Sequence, residues 1–232
     1  MFYNQDYFIY TLIAGVLSFI GMFVSGKLQS KFKYYSRIPI SAGMSGMEIA
    51  QEMLSFYGIN DVNILMGKGT LTDHYNPANK TVNLSPPIYQ GRSVMAAAVA
   101  AHECGHAVQH AKGYPMLNFR SAIVPVVRIA SMLQQYVLIA AFMVFNTFPN
   151  LMLIAIGTFI VTTLFAFVTL PVEFDASKRA LAWLKDSGRT QGAEYDGAKD
   201  ALWWAAMTYV SAALTALISL LYLILRYTSS DR

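Results

Sequence analysis

The sequence predicts a mainly α, multi-pass membrane protein with four transmembrane helices and a small α+β region. Composition points there first: of 232 residues, 55% are hydrophobic and only 13% charged, where soluble globular proteins average roughly 25% charged. Residues 7–26, 151–170 and 205–225 then contain no Asp, Glu, Lys or Arg. At ~1.5 Å rise per residue, each run is long enough to cross a hydrocarbon core of about 30 Å. A fourth run, 126–145, is mostly apolar but carries Arg128 near its start and Gln134 and Gln135 near its middle. Pro125 suits the first turn of that helix, where a missing N–H costs little. The paired glutamines read as interhelical hydrogen bonding or, alternatively, as part of a polar path.

The first run has no Lys or Arg ahead of it, unlike a secretory leader, and is expected to be a retained anchor. Of the 17 Lys and Arg residues, segment 27–120 holds nine and segment 171–204 holds five, with Arg128 inside the second span. Only Arg226 and Arg232 fall on the opposite side. Fourteen against two places both large segments in the cytoplasm and both termini outside by the positive-inside rule, with Lys27, Lys31 and Lys33 weighing most because they adjoin a span. Trp203 and Trp204 at one end of the last span, and Tyr222 and Tyr227 at the other, read as interfacial aromatics. The basic residues form no dense block interleaved with aromatics, so nothing supports nucleic-acid binding. The single cysteine, Cys104, excludes an intramolecular disulfide framework.

Within 27–120, Ser45-x-x-Glu48 is a capping-box pattern opening an amphipathic helix to about Tyr57, closed by Gly58. Residues 61–66 and 80–84 have strand character, and Asn76-Pro77-Ala78-Asn79 is a turn signal. Segment 80–84 reads as one arm of a plain hairpin or as an edge to which a substrate strand could add. An Ala-rich helix is expected over 93–112, stopped by Gly113 and Pro115.

That helix carries His102-Glu103-Cys104-Gly105-His106. Residues four apart share a helix face, so both imidazoles can bind one metal ion, while Glu103 can reach a water bound to it. The pattern points to Zn2+ and to peptide hydrolysis with Glu103 as general base. Catalytic zinc takes three protein ligands and keeps a position open. His110 is too far along the helix, roughly 12 Å from His102. Glu173, in Pro171-Val172-Glu173-Phe174-Asp175-Ala176-Ser177, is the third candidate and is expected to open another helix. An even number of crossings returns it to the side of the histidines; the alternative is a helix-start carboxylate favoured by the dipole. Cys104 is turned away from the metal-facing pair by 100° per residue and reads as a packing residue. His74 and Tyr75 are candidate donors to the oxyanion, against a structural role beside the Asn-Pro turn.

The HECGH motif, a following apolar hairpin and then PVEFDAS together resemble the bacterial membrane-bound neutral zinc metallopeptidases, the YugP-like family. Thr72-Asp73-His74-Tyr75-Asn76-Pro77, Leu84-Ser85 and the last span extend the resemblance over nearly the whole chain. It implies a zincin-like region with two His and one Glu on zinc, Glu103 as catalytic base, and a multi-pass location in the bacterial plasma membrane. More distantly, EFDAS is similar to the Glu-Phe-x-Ala-Asp stretch of HtpX-type and prenyl-protein peptidases of the gluzincin kind, where the Glu binds zinc. Ser177 stands where those enzymes have Asp, which leaves Asp175 or a backbone carbonyl as support for the histidines. The expected function is a membrane-anchored zinc endopeptidase, with a peptide or protein substrate and the lipid bilayer as partners. An intramembrane protease fits less well, because Arg92 and Lys112 bracket the His102 helix. The other alternative is a non-catalytic membrane scaffold or channel with a structural zinc, which gives Glu103 no reason to sit beside the ligands.

Overall fold

The computed structural model describes residues 3–145 and 147–229. In chain order it contains α1 (Tyr3–Tyr35), α2 (Gly46–Phe56), β1 (Asn63–Met66), β2 (His74–Asn76), β3 (Thr81–Leu84), α3 (Pro86–Tyr89), α4 (Val94–Ala111), α5 (Pro115–Met143), α6 (Leu151–Asp186) and α7 (Ala193–Ser229). The fold is mainly α, and α1, α5, α6 and α7 are long and apolar enough to cross a membrane. Arg232, counted in the charge asymmetry, lies outside the described residues. The chain divides into two compact units: Met1–Val24, Phe119–Leu170 and Thr208–Arg232 form one, Ser25–Asn118 and Pro171–Met207 the other.

The first unit packs helix on helix around Leu138, Phe142, Met152, Phe159 and Leu223. Tyr10 lays its ring against Phe142 and Tyr222, at centroid distances of 5.7 and 5.6 Å. Its outer faces keep large apolar side chains uncovered, Phe19 at 68% and Leu225 at 67% exposure among them. Contiguous exposure of that kind is costly in water and costs nothing in hydrocarbon. Thr162 Oγ1 donates to Gln134 Oε1 at 3.1 Å, so this glutamine makes the interhelical bond expected of it. One helix start differs from expectation. α5 begins at Pro115, and Pro125 lies inside it. The Tyr114 carbonyl already accepts from the N–H groups of Leu117 and Asn118, so Pro115 takes the terminal position that tolerates a missing donor.

The second unit is built around α4. Fourteen of its 18 residues are buried, and seven of the 18 are alanine, because a helix covered on every side must keep its side chains small to let neighbours approach. Ser93 caps it, accepting from Ala96 N–H at 3.2 Å. α2 packs beside α4 with Ile49, Ala50, Met53 and Leu54 inward, and both halves of its capping box form. β3 is the central strand, parallel to β1 (Asn63↔Thr81 to Met66↔Leu84) and antiparallel to β2 (His74↔Asn83 to Asn76↔Thr81). The β2–β3 hairpin turns where Asn76 Oδ1 accepts from Ala78 N–H. With a strand on each side, 80–84 has no edge to offer a substrate, so of the two readings the plain hairpin arm is the one that forms. Asp73 accepts from Ser85 N–H at 2.6 Å and from Ser85 Oγ at 3.0 Å, tying the loop before β2 to the end of β3.

Glu173 does not open a new helix. α6 runs through Pro171 without a break, because a proline removes one backbone bond while the rest of the ladder continues. Glu173 therefore sits deep inside α6, which removes the helix-start reading of its carboxylate. What brings α6 against α4 is Gly105: a Cβ there would stand 2.6 Å from the Ala176 carbonyl oxygen, well inside van der Waals contact. Substituting Gly105→Ala must push the two helices apart. We expect a loss of about 1–3 kcal/mol, seen as a lower Tm in detergent-solubilised protein; an unchanged Tm would show that the crossing has slack.

Candidate metal centre

About one turn of α4 separates His102 from His106 and sets them on one face, with their rings 4.8 Å apart and nearly perpendicular. α6 supplies Glu173, whose Oε2 lies 3.3 Å from His102 Nε2 and 3.6 Å from His106 Nε2. The three ligand atoms fall within 4.8 Å of one another. The sequence put Glu173 forward as the third candidate beside the spaced pair, and the structure brings it to them across the Gly105–Ala176 crossing.

The other ring nitrogens are held from behind. His102 Nδ1 lies 3.1 Å from Ser177 Oγ, one turn beyond Glu173 on α6. His106 Nδ1 lies 3.0 Å from Gln109 Oε1. Gln109, fully buried, has its own amide placed by two acceptors, since Nε2 donates to Val172 O and to Asp175 Oδ2, each at 2.8 Å. Asp175 in turn accepts from Arg179 Nε at 2.5 Å. Asp175 and a backbone carbonyl thus both take part, one bond further out than the sequence suggested. Gln109 was not foreseen. The available signal was its place three residues after His106, a polar side chain on the same face of an otherwise apolar helix.

This network decides what the site can hold. Two acceptors fix the Gln109 Nε2 end, so Oε1 faces His106 and the imidazole must donate from Nδ1. Its Nε2 then carries a lone pair aimed at a carboxylate oxygen, and the two face each other in a pocket where Glu173 is only 3% exposed. Two acceptors in contact need a cation between them. Two imidazole nitrogens and one carboxylate oxygen are a donor set zinc accepts, so the residues fit the metal. When a proton rather than a metal supplies the charge, burial pushes the Glu173 carboxyl up, yet the hydrogen bonds and charge of both histidines outweigh it and hold it well below the usual carboxylate range. Burial likewise pulls His106 down, and its contacts with Glu173 outweigh that and raise it.

Glu103 is buried beside the pair but is not one of the three converging ligands. Its Oε2 accepts from the backbone N–H of Tyr75 at 2.9 Å, so β2 anchors it, and no sequence pattern announces a backbone donor. Its Oε1 has no hydrogen-bond partner among the described residues. The two loop candidates separate here. The Tyr75 hydroxyl lies 2.7 Å from His110 Nδ1, and burial first, then Asp61, push it up to about 12. His74 is exposed, with Nδ1 2.8 Å from the Thr72 carbonyl. Neither ring belongs to the three-ligand group. Cys104 points the other way, its thiol 3.6 Å from the Ala50 carbonyl and pushed up by burial, as expected of a packing residue.

The model of a protein family described as "Putative neutral zinc metallopeptidase" matches residues 9–228. The chain is also 40% identical over 215 residues to "Putative membrane protease YugP" of Bacillus subtilis (strain 168), covering 92% of this chain and 93% of that one. No solved structure matches it. A helical chain with four apolar helices long enough to span a bilayer and a buried two-histidine, one-carboxylate cluster thus belongs to this family of neutral zinc metallopeptidases.

Proposed function

We propose that the chain is a membrane-anchored zinc endopeptidase in which His102, His106 and Glu173 hold the metal and Glu103 is the general base. The observation that carries this reading is the pairing of three converging ligand atoms with a fourth acidic group, Glu103, one residue along the same helix and held by a different partner. A structural zinc site has no use for that second carboxylate. Zinc bound here would supply Lewis acidity, polarising a peptide carbonyl and making a water acidic enough to lose a proton near neutral pH.

The protein's own groups do the rest. Tyr75 N–H holds Glu103 by Oε2, which leaves Oε1 to take a proton from the attacking water and to return it to the leaving amine nitrogen. Ser177 and Gln109 hold the two imidazoles at Nδ1, so both Nε2 atoms keep their direction through the reaction. For the second donor to the oxyanion, His74 keeps Nε2 without a partner among the described residues, whereas the Tyr75 hydroxyl is taken by His110; Tyr75 contributes through its backbone. The charge count along the chain supports an active site on the cytoplasmic side of the membrane.

Three outcomes test this reading. Purified protein should hold about one equivalent of zinc, and Glu173→Ala should lose most of it; full zinc in that variant moves the third ligand elsewhere. Glu103→Gln keeps an oxygen for Tyr75 N–H but cannot accept a proton. It should fold, retain zinc and lose peptide hydrolysis by at least ~10²-fold, whereas equal hydrolysis in the two proteins with equal zinc would sink the mechanism. A reporter fused after Arg232 should label outside the cytoplasm; cytoplasmic labelling would reverse the proposed orientation.

A further inference from the structure

Beside the metal centre, and sharing Ser177 with it, the helical segments 174–186 of α6 and 195–206 of α7 enclose an open groove of about 460 Å³. Its floor is apolar, formed by Leu181, Leu202 and Ala206, and Phe174 and Trp203 flank it at 39% and 55% exposure. Its rim is basic: Lys178, Lys185 and Lys199 line it against a single acid, Asp186. Among the described residues none of these lysines forms an ion pair, although Lys185 sits 5.9 Å from the Tyr195 ring. Elsewhere in the same unit several cations are answered by acids; Lys31 meets Asp200 at 2.7 Å and Arg179 meets Asp175 at 2.5 Å. Three unmatched cations above an apolar trough are complementary to a ligand with an anionic head and a hydrocarbon body.

The helices say what that ligand is. Lys178 follows the uncharged run 151–170 by eight residues and Lys199 precedes the uncharged run 205–225 by six, so their Cα atoms stand ~12 and ~9 Å along the axes from those runs. The headgroup layer extends roughly 5–7 Å beyond the hydrocarbon, and a lysine stem reaches back across the difference. Trp203, two residues before the second run, stands at the level where indoles collect. Phe174 and Ala206 continue the trough toward both apolar runs. A soluble anion would use the rim and leave the trough empty; an acidic peptide would have no reason to need residues at headgroup height.

We infer that this groove binds one acidic phospholipid, its phosphate between Lys178 and Lys199 and an acyl chain along Leu181, Leu202 and Ala206. The test uses the full chain, stripped of lipid in detergent and incubated with phosphatidylglycerol or with phosphatidylcholine, and counts retained lipid by native mass spectrometry. Phosphatidylglycerol should be retained at about one per chain in preference to phosphatidylcholine. The double variant Lys178→Gln/Lys199→Gln should weaken its retention by at least ~10-fold, while Lys178→Arg/Lys199→Arg and the exposed control pair Lys33→Gln/Lys68→Gln should behave as wild type. All four positions are exposed, and the helical circular dichroism and Tm of each variant report that the protein is folded. Equal retention of the two lipids would overturn the proposal. So would a double variant that keeps wild-type retention, or displacement of the lipid by inorganic phosphate or by an acidic peptide at matched concentration. The readout is lipid bound, so it stands apart from any failure of the peptidase reading.

Discussion

A carboxylate buried to 3% exposure is the constraint around which the second unit is arranged. Removing an ionised group from water costs several kcal/mol unless opposite charge and hydrogen bonds meet it. Among the described residues, the Nε2 atoms of His102 and His106 are the polar neighbours that do so for Glu173. Everything nearby serves that meeting. Gly105 lets α6 approach α4 to the point where the carboxylate can reach both rings, and alanines clear the remaining faces of α4. Ser177 and Gln109 occupy the far nitrogens so that the near ones stay aimed. The chain of bonds from Gln109 through Asp175 to Arg179 ends in a guanidinium that has already left the core, where water can complete the network.

Much of the site was legible because helical spacing is local. His102 and His106 share a face by arithmetic, and Ser93, Gly113 and Ser45-Glu48 mark helix ends by their own chemistry. The four apolar helices were legible for a similar reason, since hydrocarbon thickness sets their length. What stayed hidden depends on partners far apart in the chain. Gln109 meets Val172 and Asp175, more than sixty residues away, and Glu103 meets a main-chain N–H that every residue possesses. β2 is three residues long, too short for an alternating pattern, and without it 80–84 could not be recognised as a central strand. The unbroken course of α6 through Pro171 was hidden too, because a proline signals a helix boundary far more often than it proves one.

The two units solve different solvent problems with the same secondary structure. In the second, α4 buries nearly every residue and must be small; in the first, α1 leaves Val16 and Phe19 uncovered and can be large. In the first unit Gln134 and Thr162 pair with each other between helices. Composition averaged over the whole chain mixes these two regimes, which is why segment-by-segment charge was the more informative quantity.

The hydrogen bonds of Ser177 and Gln109 have a consequence for the charge balance of the centre. Both are neutral, so the three converging side chains, with both imidazoles neutral, carry a single negative charge between them. A divalent ion in their midst would leave a surplus of one positive charge in a poorly hydrated pocket, and Glu103 supplies the matching negative one without touching the ligand positions. The resting cluster is then neutral as a whole, the state that is least costly to keep away from water. A proton passed to Glu103 from a water in that pocket would leave hydroxide behind, so the sum would stay at zero and charge would only be moved within the pocket. The proposed base at Glu103 would therefore work without changing the net charge that the pocket keeps away from water.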